Sequence, residues 1–122
     1  MAGLEDDSIV SLSSLHAAEH FGLGRYSDPV DPWAHTKFMS SLERVLSPRG
    51  ILYFSVPIGR ERLEFNAHRI FDVSTVLTQF KKLRLVSFSY VDDVGELHED
   101  VSPSGVPRST SCGCGLFEFA KE

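Results

Sequence analysis

The sequence predicts an α/β domain organised on a mostly parallel sheet, and three observations lead there. Two apolar runs, Ser8–Leu15 with Ile9, Val10, Leu12 and Leu15 set close together and the nearly continuous Ile51–Val56, read as interior strands, the first covered on both faces. A single amphipathic helical pattern follows each, an alternation that implies right-handed crossovers between parallel strands. The first run also delivers His16, Glu19 and His20 to its carboxyl end, where open α/β sheets place their sites.

Bulk properties narrow the function classes. A chain of 122 residues has room for one core, so a single domain spanning 1–122 is expected. With 42% hydrophobic and 24% charged residues, it has the makeup of a folded domain rather than a disordered or fibrous one. A net charge of -5 argues against non-specific binding to nucleic acid. No apolar run approaches the roughly 20 residues of a membrane helix. The acidic start MAGLEDDS lacks the basic region of a secretory signal, so a cytoplasmic location is expected. Cys112 and Cys114, one residue apart, read as free thiols entering a final strand, because so tight a bridge would be strained.

Residues 1–7 form a polar lead-in to the strand Ser8–Leu15. Two Asp-Pro pairs mark a loop from Tyr26 to Pro32, with Asp31 as N-cap and Pro32 at the first helical position. Phe38, Leu42 and Val45, flanked by Met39 and Leu46, recur at helical spacing. Ser47-Pro48-Arg49-Gly50 is expected to end that helix. The strand Ile51–Val56 follows and is stopped by Pro57. Gly59 to Arg69 is a polar, arginine-rich connection. Asp72 then caps a short helix whose inner face is Val73, Val76, Leu77 and Phe80, with Lys81 and Lys82 at its negative end. Leu85–Val91 alternates apolar and serine positions, which marks a strand with one wetter face. Residues 92–111, with Pro103, Gly105, Pro107 and several serines, read as a long loop. Leu116–Ala120 is the last strand, expected to run antiparallel.

Three stretches then point to a family. SLHAAEHFGLGRYSDPVDP, LERVLSPRGILYFSVPIGRERLEFNAHRIF and GCGLFEFAKE resemble domain of unknown function 268, a family named from nematode proteins. The likeness extends over nearly the whole chain, and LHAAEHFGLGRY and FNAHR are its most specific motifs. Glu19-His20, Leu46-Ser47-Pro48-Arg49-Gly50 and Val56-Pro57 resemble the second half of class I S-adenosylmethionine-dependent methyltransferases. That resemblance implies a partial Rossmann-like sheet, the C-terminal half only, whose strands correspond to the fourth through seventh of seven.

It further implies that a complete form uses S-adenosylmethionine to methylate a small or carbohydrate-like acceptor. The chain alone is expected to bind no cofactor, since only seven residues precede Ser8 and Gly22-Leu23-Gly24 lacks the third glycine of a dinucleotide fingerprint. Ser8–Leu15 would then present an unpaired edge, so self-association or an amino-terminal partner segment is expected. The alternative is a non-catalytic, partner-dependent module that has lost the cofactor site.

Within that frame, Glu19, His20 and His68 are the catalytic candidates. A neutral histidine at the mouth of the sheet can take a proton from an acceptor hydroxyl or amine. The alternative is that Glu19 and His20 bond each other and cap the turn. His16, Arg25, Tyr26, Asn66 and Arg69 are the substrate-binding candidates: a guanidinium beside two glycines suits an anion, and Asn66 and Arg69 share the rim of His20. His16-Ala17-Ala18-Glu19-His20 also fits H-x-x-E-H, an inverted zinc-hydrolase pattern. The resemblance accounts for the same residues without metal, so no metal site is assigned.

Overall fold

The computed structural model describes residues 5–15, 34–63 and 69–122. In chain order the elements are β1 (Ile9–Leu15), α1 (Ala34–Val45), β2 (Leu46–Ile58), β3 (Arg62–Leu63), β4 (Arg69–Ile70), α2 (Val73–Gln79), β5 (Arg84–Val91), β6 (Leu97–His98), a 3-10 turn at Pro103–Gly105, and β7 (Gly113–Ala120). Five strands form one sheet in the order β1-β2-β7-β5-β6, and β3 and β4 make a separate two-stranded ladder. Among the described residues no helix is long and apolar enough to cross a membrane.

The mostly parallel expectation needs correcting. Among the described strands only β1 and β2 form a parallel ladder, with an isolated parallel bridge between Ile58 and Phe71 besides. The last strand is antiparallel, as expected, but it sits inside the sheet, between β2 and β5. β1, β2 and β5 therefore do point the same way, yet the inserted strand turns both ladders flanking it antiparallel. The sequence could not show this, because a terminal strand's position depends on which edge it fills.

Inward residues of the central strands meet in pairs: Leu52 opposite Phe119 and Phe54 opposite Phe117, with Phe117 in turn opposite Phe88. Their rings pack edge-on or tilted, with Phe54 and Phe80 at 4.9 Å and Phe88 and Phe117 at 4.9 Å. Met39 and Leu42 of α1, and Val76 and Phe80 around α2, close over this face. The opposite face carries Tyr53, Val86 and Leu116, which are 44%, 42% and 37% exposed. Both described helices thus cover one side of the sheet.

Four local expectations change. Ser8–Leu15 is not buried on both faces, since Val10 and Leu15 are 71% and 64% exposed. Among the described residues β1 pairs only with β2, so one of its edges is open. Ser47-Pro48-Arg49-Gly50 does not separate helix from strand, because β2 begins at Leu46, directly after α1. The four residues instead bulge where the β1–β2 register shifts. Arg49 adopts φ 66°, and its N–H donates to the Lys121 carbonyl.

Pro57 does not stop β2, which continues to Ile58 opposite Gly113. β1 has already ended opposite Ser55, so the missing N–H removes no ladder bond, and the Pro57 carbonyl accepts from Phe71 N–H at 3.0 Å. Finally, the stretch 92–111 contains β6 and the 3-10 turn. The Asp72 cap stands as read: its carboxylate accepts Ser74 N–H at 2.8 Å.

If the helix-covered face holds the fold, its two sides respond differently to truncation. Phe54→Ala is expected to cost about 3–5 kcal/mol in urea unfolding, and Tyr53→Ser less than about 1 kcal/mol. Equal losses at the two neighbours would show a core on both faces.

Candidate functional site: the carboxyl rim of the sheet

The two rims of the sheet differ in kind. At the amino ends of β1 and β2 the chain is stitched tightly. Asp7 and Ser8 N–H donate to Arg44 and Val45 carbonyls, and Lys121 N–H donates to the Gly50 carbonyl. Side chains add Arg44 to Asp6 and Lys121 to Asp7. All three long connections leave from the other rim, after Leu15, Ile58 and Val91. That is where side chains are free to be arranged around a ligand.

Two of those connections are bound to each other. Gly59 N–H donates to the Phe71 carbonyl, and Arg60 N–H donates to the Thr110 carbonyl. A Cβ on Gly59 would lie 2.5 Å from the Ser111 carbonyl oxygen, so only glycine permits this approach. Arg62 reaches the Ser111 carbonyl at 2.8 Å. Asp93 accepts Ser111 N–H and Cys112 N–H, both at 2.8 Å, at the entry to β7. Cys112 and Cys114 are not joined in a disulfide, as expected.

At the β5–β6 turn, Asp92, Glu96 and His98 bring ligand-type atoms within 4.8 Å of one another. Asp92 is already committed: it accepts Val94 N–H and Glu96 N–H and meets His98 Nε2 at 2.9 Å. The His98 ring stacks on Tyr90 at 4.6 Å. The His98 contact, followed by the backbone donors, holds the Asp92 carboxyl below its ordinary range. This group locks a turn.

Beside these connections a groove of about 640 Å³ opens between Gly59-Arg60, the start of α2 and the segment 103–108. Val73 and Leu77 line it on one side and Pro103, Val106 and Pro107 on another, with Arg60 and Arg108 also in its wall. Sequence reading did not find this groove, because its parts lie up to about fifty residues apart.

Of the expected site residues, Arg69 is described. It sits half-buried in β4 opposite Leu63, on the connection that leaves this rim. Its neighbours Ile70 and Phe71 are buried anchors, as the sequence suggests. His16, Glu19, His20, Arg25, Tyr26, Asn66 and His68 lie outside the described residues, as do Gly22 and Gly24. Sequence reading missed His35, in the first turn of α1, whose ring lies 5.8 Å from Phe71.

The glycines at this rim bear on a cofactor. Side-chain space at Gly59, Gly113 and Gly115 is filled by the Ser111 carbonyl, the Val91 carbonyl and the Ile58 side chain. They let strands approach one another and leave no cradle for a nucleoside. Among the described residues, then, the donor set does not fit S-adenosylmethionine. One polar atom at the carboxyl end of β1 is left over: the buried Ser14 hydroxyl has no hydrogen-bond partner among the described residues.

Backbone donors from Ser111 and then Cys112 pull the Asp93 carboxyl below its ordinary value of 3.8. A depressed folded value adds stability that is complete above the ordinary value and lost as pH falls through the depressed one. Asp93→Asn is therefore expected to destabilise at neutral pH, with the difference from the parent vanishing in strong acid. Parallel acid-unfolding curves for the two proteins would show that the anchor has no such linkage.

No curated protein sequence matches the chain. Among solved structures, it is similar to the [4+2]-cyclase SpnF, with a TM-score of 0.62 and 10% identity over 99% of this chain and 53% of that one. It is also similar to a chain from the complex between the Haloferax volcanii Trm112 methyltransferase activator and a methyltransferase. There the TM-score is 0.57 and the identity 15%, over 98% of this chain and 57% of that one. The chain thus spans about half the length of these structural neighbours, and at such identities the likeness shows a mixed α/β, methyltransferase-like fold. Residues 6–99 match the family described as "Caenorhabditis protein of unknown function, DUF268", and the chain belongs to that family.

Proposed function

We propose that these residues form the acceptor-side half of a methyltransferase-like domain, and that the complete form transfers a methyl group from S-adenosylmethionine to a small or carbohydrate-like acceptor. In this reading β1, β2, β5 and β7 correspond to the fourth, fifth, sixth and seventh strands of the complete sheet. The observation that carries it is the sheet itself. Two parallel strands continue into a final antiparallel strand inserted between β2 and β5, with helices on one face and every long connection at the carboxyl rim. The neighbours sharing this arrangement are about twice as long. Glu19, His20 and His68 serve as the acid–base candidates, with His16, Arg25, Tyr26, Asn66 and Arg69 holding the acceptor. The cofactor is gripped by residues other than those described, because the rim glycines are already filled by protein atoms. A cytoplasmic location accompanies this reading.

A second reading has its own support: a partner-dependent module without catalysis. β1 carries no charge or proline along the edge that no described strand pairs, and Tyr53, Val86 and Leu116 leave apolar surface on the face of the sheet opposite the described helices. One structural neighbour comes from a complex with an activator protein. A second copy of the chain or an amino-terminal partner strand is the fitting occupant of that edge.

Titration calorimetry with S-adenosylmethionine separates the readings. The chain alone is expected to give no binding heat, and the chain joined to a glycine-rich strand–turn–helix segment to bind at micromolar levels. Binding by the 122 residues alone would overturn the assignment of the cofactor grip elsewhere. A joined protein that assembles but binds no cofactor would favour the module. Sedimentation of the chain alone is expected to show self-association, and a stable monomer would remove the open edge as a docking element.

A further inference from the structure

The groove at the carboxyl rim has a mixed wall. Val73 and Leu77 of α2, with Pro103 and Val106 across from them, give it an apolar lining. Val106 is itself packed against the core, so this side is anchored. Its volume of about 640 Å³ lies within the range of about 300–1,000 Å³ usual for small-ligand sites.

Two guanidiniums complete the wall. Arg60 and Arg108 are exposed, and among the described residues neither side chain is held in an ion pair or hydrogen bond. Arg44 and Arg84, by contrast, are paired with Asp6 and Glu122. An arginine cannot shed its charge at any accessible pH, so both remain positive wherever they sit. The single carboxylate in the lining, Asp72, is engaged, with one oxygen accepting from the Ser74 amide at 2.8 Å and its hydroxyl at 2.6 Å. In a chain of net charge -5, a groove with two unpaired cations and one committed anion is a local reversal of sign.

The position is also well defined. Arg60 follows the glycine that docks against the Ser111 carbonyl, and its own amide donates to Thr110. Arg108 lies two residues before Thr110, whose amide donates to the Pro107 carbonyl. The same backbone contact that joins the two connections therefore carries an arginine in from each side.

We infer that this groove binds an organic anion with an apolar body, its carboxylate or phosphate held by Arg60 and Arg108 and its hydrophobic part laid against Val73, Leu77 and Val106. The inference rests on the reading of this rim as the acceptor side, and it names the acceptor class as acidic. A guanidinium presents two parallel donors to a carboxylate or phosphate oxygen pair, so two of them select for anionic groups over neutral hydroxyls.

The test is a two-dimensional amide NMR titration of the chain with phenylacetate, phenyl phosphate and neutral benzyl alcohol. The anions are expected to shift amides of 59–60, 73–77 and 104–110, and to bind at least about tenfold more tightly than benzyl alcohol. Raising the salt from about 0.05 to about 0.5 M should weaken the anions and leave the alcohol unchanged. Phenylacetate and phenyl phosphate compared directly tell carboxylate from phosphate.

Arg60→Gln with Arg108→Gln should abolish the preference for anions, with the rest of the spectrum unchanged because both side chains are exposed. Benzyl alcohol binding as tightly as the anions, shifts confined to other surfaces, or a preference untouched by the double variant would each overturn the inference. Failure of methyl transfer in a cofactor-loaded complete form, with anion binding intact, would instead overturn the methyltransferase reading and leave the groove standing.

Discussion

The antiparallel insertion of β7 between β2 and β5 is the constraint on which the rest of the molecule depends. It brings Phe117 and Phe119 against Phe54 and Leu52 on one side and against Phe88 and Leu85 on the other. Without it, β1 and β2 would be separated from β5 and β6, and α1 and α2 would have no common surface to close. The ladder narrows toward its amino end, where Gly115 and Gly113 stand opposite Val56 and Ile58. A Cβ at Gly115 would come within 2.7 Å of the Ile58 side chain, so the small residues let the large aliphatic ones fill the space.

The same insertion builds the functional rim. Because β7 runs against its neighbours, its first residues arrive where β2 and β5 end. The long connection 92–112 is thereby carried back over the connection 59–71. Arg60 N–H, donating to the Thr110 carbonyl, and the Arg62 guanidinium, donating to the Ser111 carbonyl, then join the two loops, while Asp93 ties the second loop back on itself at Ser111 and Cys112, which satisfies polar atoms that a loop packed on protein would otherwise leave bare. The opposite rim is stitched by short turns and ion pairs.

A shared fold does not select a reaction, and one of the structural neighbours is a cyclase. What bears on function here is local: where the loops gather, which glycines are filled, and where unpaired charge meets apolar wall. These features support the proposed acceptor-binding rim.

Much of the fold was legible in the chain because it rests on local chemistry. The apolar runs became β1 and β2, the serine alternation became β5, and Asp72 capped α2 through its own carboxylate. Pro57 misled because proline breaks a strand only if a partner needs its N–H, and partners are set by the sheet. The site residues read from LHAAEHFGLGRY and FNAHR lie outside the described residues, apart from Arg69, the last residue of FNAHR. The groove between Arg60 and Arg108 left no trace in any single stretch. Sequence determined which segments are strand or helix and where chemical side chains cluster along the chain, since periodicity and capping act over a few residues. Only tertiary structure decided that β7 enters the middle of the sheet and brings residues 60 and 108 together, because long-range pairing is chosen by packing.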